Sequence, residues 1–330
     1  MEIRQEHQLN PVADDVSALI AVTRPILIGL LHSVSEEQLE PHGGRDGIAL
    51  KRVGRVRKAS DGDLGVAFEY AVHDAVLRHE DSVVERIADA LRMCNIKTDQ
   101  PDSILFAMEK DGAKQLIETR RELITPESRI LSGRQGQPVK LANHMNQLAA
   151  AFHRPSSRPA LPRSIQGLWK ADLFLGTTER DHWVGTTIKV NSRAIESARG
   201  LRIAVVPSNY QKSDKVRKDD QKNIIVCPLP YEPQFMAIFY RGMAILQQLL
   251  ATDFKMPSEP ALPLPLDRHV ASQYVERRDF KVVDVLDALA YQAQPHLLET
   301  RPQDVSIESY ANSDSPETST ALSPIPLLDD

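Results

Sequence analysis

The chain has 330 residues, 42% hydrophobic and 26% charged, an ordinary composition with ample material for a folded core. Two cysteines, Cys94 and Cys227, exclude a disulfide framework and lack zinc-ligand spacing, so both are expected as buried thiols in a reducing cytoplasm. The net charge of −5 belongs to the C-terminus: His296–Asp330 holds seven acids against Arg301 alone, −6, which leaves +1 for the rest. A near-neutral body neither demands nor excludes nucleic acid, so local clusters matter more.

Taken in chain order, Met1–Pro11 is polar and expected to fray. Val12–Ser33 has apolar residues at helical spacing, with a kink or break expected at Pro25. Thr23, Arg24 and Pro25 interrupt Val16–Leu31, so it is not expected to span a membrane, and no signal-peptide order precedes it. HGGRDG, His42–Gly47, reads as a loop. Lys51–Lys58, KRVGRVRK, has five basic residues and no acid. It is either a solvated strand or loop, or an arm whose Lys51, Arg52, Arg55, Arg57 and Lys58 contact phosphates by releasing counterions.

Asp61–Met93 is strongly helical in pattern, with Val66, Tyr70, His73 and Leu77 three or four residues apart. Glu69 lies inside that apolar pattern, where a carboxylate needs a partner; His73, four residues on, is the simplest one. Ser103–Met108 reads as a short strand, Gly112–Leu123 as a helix, Pro126–Pro138 as a loop and Val139–Phe152 as a helix. His153–Pro162 is a connector rich in proline and arginine.

Leu168–Asn191 reads as two strands joined by the polar turn Thr177–His182. A turn centred between Arg180 and Asp181 sets Asp172 opposite Lys189, with Thr187 on the same face as Lys189. An acid and a lysine then meet among Leu173, Leu175, Val184 and Ile188, where unpaired charge is costly. Beyond it come a short helix over Ser192–Ala198, a strand over Leu201–Pro207 and a charged loop, Ser208–Asn223, with Lys212, Lys215, Arg217 and Lys218. A strand over Asn223–Pro228 and a covering helix over Glu232–Thr252 follow. Pro257–Pro265 reads as a linker, Phe280–Tyr291 as a last helix, and the segment beyond Pro295 as disordered.

This order of helix, acid-and-lysine hairpin, short helix, two strands and covering helix resembles the core of the PD-(D/E)xK, restriction-endonuclease-like nucleases. The resemblance spans at most Gly62–Thr252, and its specific part is about twenty residues. It implies an α/β fold: a mixed central sheet flanked by helices, with a helical N-terminal extension over 1–58 and the nuclease domain over 59–255. A linker and helix over 256–295 and a disordered acidic tail over 296–330 would complete the chain. Asp172 matches the family's first acid, Lys189 its lysine and Glu69 the glutamate that a preceding helix often supplies. Ala171 stands where the family has proline, and Thr187 where it has the second acid. The missing carboxylate would come from Glu69, favoured for its apolar setting, or from Glu196. The resemblance further implies magnesium held by Asp172 and Glu69, endonucleolytic cleavage of DNA in restriction or phage defence, and a homodimer in the cytoplasm without membrane attachment. The alternative is a nuclease-like protein that binds nucleic acid, or serves assembly, without cutting.

Overall fold

The computed structural model describes residues 2–3, 11–57, 63–106, 125–132, 137–144, 171–198, 200–208, 215–231, 235–290 and 321–322, with single positions between 146 and 161. Strand β1 (Glu2–Ile3) pairs in parallel with β10 (Ala321–Leu322), the described parts of the two termini. The expected helix over Gly112–Leu123 and most of the acidic tail lie outside the described residues.

Helix α1 (Pro11–His32) continues through Pro25 without a break into two helices. Its apolar residues explain why: Leu19, Ile20, Ile26, Leu27 and Leu30 are fully buried, so packing on neighbouring helices holds the helix together across the missing hydrogen bond. Thr23 Oγ1 donates to the Ile20 carbonyl (3.1 Å) and accepts the Tyr274 hydroxyl (2.8 Å), pinning α1 at that point. The segment Asp15–His32 is apolar and long enough to cross a bilayer, but 67% of it is buried within the protein, as a core helix is.

A single-turn helix, α2 (Glu36–Leu39), precedes the expected loop, a second, α3 (Gly44–Gly47), lies within it, and α4 (Leu50–Val56) follows. The basic run KRVGRVRK is thus helical over most of its length, not a strand or loop. The expected long helical region divides into α5 (Asp63–Leu77) and α6 (Asp81–Met93), separated where His79 adopts φ 56°.

Strand β2 (Asp102–Leu105) opens the main sheet. The segment expected as a loop and the start of a helix forms a hairpin of β3 (Arg129–Ser132) and β4 (Gln137–Lys140). Then come β5 (Leu173–Thr177), β6 (His182–Ile188), β7 (Arg202–Pro207), β8 (Arg217–Asp219) and β9 (Ile224–Leu229). Helices α7 (Phe235–Ala251), α8 (Pro265–Glu276) and α9 (Val282–Ala290) complete the chain's described elements. Helix α8 was not expected; Pro265 occupies its first turn, where a proline favours a helix start instead of a linker.

The eight-stranded mixed sheet has the order β2-β5-β6-β7-β9-β8, with β3 also on β6. β5 runs antiparallel to both of its neighbours, β2 and β6; β7 and β9 run parallel to β6, and β8 closes the far edge antiparallel to β9. Alternation along these strands gives two chemically different faces. Leu173, Leu175, Val184, Ile188, Ile203, Val205, Ile225 and Cys227 point to the first face, into one core with residues of α1, α5, α6 and α7 to α9. That core runs across the boundaries expected near residues 58 and 255. Gly54 lets α4 join it, since a Cβ there would lie 2.3 Å from the Leu250 carbonyl oxygen. On the second face, Ile195 closes over Ala204, Val206, Ile224 and Val226.

Candidate functional site

The β5–β6 pairing runs from Leu173 opposite Thr186 to Thr177 opposite His182. The turn is therefore centred one residue earlier than the sequence suggested. Continued by one pair, this register sets Thr187, not Lys189, across from Asp172. Asp181 takes φ 53° in the turn, and its carboxylate is held by Thr125 Oγ1, Ser128 Oγ (2.5 Å) and Trp183 Nε1 (2.9 Å). Burial pushes the Asp181 carboxyl up, but these three donors outweigh it and hold its pKa below the ordinary value. This network fixes β3 beside β6 and Trp183 as a buried packing residue.

Asp172 lies at the end of β5 nearest the C-terminus of β6. Its Oδ2 accepts three hydrogen bonds: from Thr187 Oγ1 (3.0 Å), from the Ile188 amide (2.7 Å) and from Lys189 Nζ (3.5 Å). The acid and the lysine expected to meet do meet, on a diagonal, with Thr187 donating to the same carboxylate oxygen. The side chains of Asp172 and Lys189 are 20% and 39% exposed, so the pair is reachable from solvent. All three of these donors converge on Oδ2.

Arg202, which opens β7, is buried on the same second face. Burial lowers the pKa of its guanidinium, while the nearby charges of Asp172 and Glu196 act in the opposite direction. The chain after Lys189 folds over this face through a single 3-10 turn, Ser192–Ala194, rather than a helix to Ala198. That turn carries Glu196 back towards Arg202. Sequence reasoning missed Arg202, although one arginine opening the apolar run LRIAVVP was a visible signal.

Glu69 is buried on α5. His73, one turn later, places its Nδ1 2.9 Å from Ser103 Oγ on β2, and the charge of Asp74 acts on it. Burial drives the His73 pKa down to about 4. Since Ser103 pairs with Leu175 and α5 packs into the same core, α5 covers the first face. Thr187, alternating with the core residue Ile188, faces the second. Glu69 is not among the hydrogen-bond donors and acceptors around Asp172, and no group of three His, Cys, Asp or Glu side chains suited to a metal stands among the described residues.

The expected nucleic-acid contacts divide. Lys51 pairs with Asp279, and Arg55 with Asp253 at 2.8 Å, so two of the basic residues of α4 hold the fold together. Arg52 is exposed on the same helix; Lys58 and Lys212 lie outside the described residues. Lys215, Arg217 and Lys218 are exposed at the β8 edge, with Lys218 paired to Asp220 at 2.7 Å. Next to this edge the second face holds a pocket of about 350 Å³, lined by Arg193, Arg217, Lys222, Asp219 and the apolar Val206, Val226 and Pro228, among others. No family model, curated protein or solved structure matches the chain.

Proposed function

We propose that the chain is a magnesium-dependent endonuclease of the PD-(D/E)xK type acting on DNA, with Asp172 and Lys189 at its centre. The observation that carries this reading is the convergence of Asp172, Thr187 and Lys189 at one end of the β5–β6 hairpin. The order around it also supports the restriction-endonuclease-like fold: α5, three antiparallel strands, then a strand parallel to the third. Restriction or phage defence in the cytoplasm, and a homodimer suited to cutting two antiparallel strands, follow from the resemblance alone.

Two carboxylates and several waters suffice for magnesium. Asp172 offers Oδ1, and Glu196, which shares Arg202 with it, supplies the second acid in preference to Glu69. The ion supplies polarisation of the phosphate and a more acidic water. Lys189 stabilises charge on the phosphate oxygens and orients the attacking water, held in place by Asp172. Thr187 keeps the Asp172 carboxylate turned so that Oδ2 faces the protein. Arg202 neutralises the two acids in the absence of substrate and adds a cation facing the phosphate path.

Plasmid cleavage with and without magnesium tests the assignment of acids. Glu196→Gln is expected to lower cutting by about 100-fold or more, the scale of losing one preorganised electrostatic group, while Glu69→Gln is expected to leave it within a few-fold. The reverse pattern would return the second carboxylate to α5. One observation favours a second reading: Asp172 Oδ2 is already satisfied by three donors, and threonine stands where an acid is usual. Salt-sensitive DNA retention with no cutting under any metal would establish that non-catalytic alternative.

A further inference from the structure

The pocket on the second face is adjacent to Lys189 by register. Ile188 pairs with Val205, and the Lys189 amide donates to the Val205 carbonyl (3.0 Å), so Val206 lies on the neighbouring strand, roughly 5 Å away across the sheet. Val206, Val226 and Pro228 alternate onto the same face and give the pocket an apolar floor. Its walls are basic. Lys222 is held in place at both ends: its amide donates to Asp219 Oδ1 (3.0 Å) and its Nζ to the Ile195 carbonyl (2.8 Å). Arg193, on the turn after Lys189, and Arg217, on the exposed edge strand β8, stand at the opening. Three cations against the single acid Asp219 favour an anion, and guanidinium groups suit phosphate. A volume of about 350 Å³ is at the small end of ligand sites.

We infer that this pocket binds one nucleotide unit, its ring on the Val206–Val226–Pro228 floor and its phosphate between Arg193, Arg217 and Lys222. The inference rests on the nucleic-acid reading above and deepens it: the unit held here would neighbour the phosphate presented to Lys189, making the pocket a subsite for a strand end or an unstacked base. An inorganic anion alone would use the walls and ignore the floor; a nucleoside alone would do the reverse.

The test is equilibrium binding to the full chain in metal-free buffer, so that it does not depend on cleavage. The probes are a nucleoside 5′-monophosphate, the same nucleoside without phosphate, and inorganic phosphate. Saturable monophosphate binding, at least tenfold tighter than either fragment, is expected. Arg217→Glu and Arg193→Glu alter exposed positions and are expected to weaken it at least tenfold with an unchanged unfolding temperature, whereas Asp172→Ala should retain it. Overturning results are no saturable monophosphate binding, equal affinity for inorganic phosphate, or affinity unmoved by Arg217→Glu. Failure of plasmid cleavage with binding intact would count against the nuclease reading alone; cleavage without monophosphate binding would count against the pocket alone.

Discussion

The two faces of the central sheet are built from the same strands and do different work. On the first, Leu173, Val184, Ile203 and Ile225 vanish under α1, α5, α6 and α7, and His73 of α5 bonds Ser103 of β2. On the second, the same strands carry Asp172, Thr187 and Arg202, with Lys189 just past the end of β6, and Ile195 packs over Ala204, Val206, Ile224 and Val226 beside them. The helix-covered face is read as stability, and the face that gathers one acid, a lysine and a buried arginine at the end of the β5–β6 hairpin as the candidate site. The difference predicts that substitutions on the two faces separate folding from function.

The largest effect should come from the covered face. Phe239, fully buried on α7 against Phe68 at a centroid distance of 5.1 Å, should cost about 3–5 kcal/mol as Phe239→Ala, measured by denaturant unfolding. Lys189→Ala, on the other face, should change stability by less than about 1 kcal/mol, because that ion pair is partly exposed. If both substitutions unfold the protein equally, the division of labour fails.

Acidification should next distinguish the faces. His73 is neutral in the fold, its pKa lowered to about 4 by burial. An unfolded histidine titrates near 6.5, so the unfolded state takes up the proton first and stability is lost as pH falls from about 6.5 to about 4. The loss attributable to this residue is on the order of 2–3 kcal/mol. His73→Gln, which retains a donor for Ser103, should flatten that part of the pH–stability curve; an unchanged slope would show that His73 does not carry it.

The smallest effect concerns α4. Arg55→Ala removes an exposed pair with Asp253 and should cost about 0.2–1 kcal/mol. With Arg55 engaged in the fold, the salt dependence of DNA binding should not change. A slope reduced by nearly one phosphate contact would instead make α4 part of the nucleic-acid surface.

How much of this could be read from sequence depended on whether the signal was local. The strands β7 and β9 and the helix α7 were legible because LRIAVVP, NIIVCP and the apolar run to Ala251 each declare themselves within a few residues. The hairpin was legible too, but its register was not, since an Asp181 in the left-handed region shifts the turn and alternation alone cannot reveal that. β3 was missed because it exists through distant contacts: its Arg129 amide donates to the Asp181 carbonyl (2.8 Å), and Ser128 and Thr125 bond the Asp181 carboxylate. In the candidate site, Asp172 and Lys189 were found from their setting between apolar residues. Arg202 was passed over because its partners lie thirty residues back and six residues back, on separate segments that only the fold brings together.

The central claim is tested most directly by magnesium-dependent cleavage of supercoiled plasmid, comparing the wild-type chain with Asp172→Ala and Lys189→Ala at matched folded fractions. The account predicts metal-dependent cutting by the wild type, reduced by about 100-fold or more in each variant. Metal-dependent cutting that survives both substitutions would contradict it.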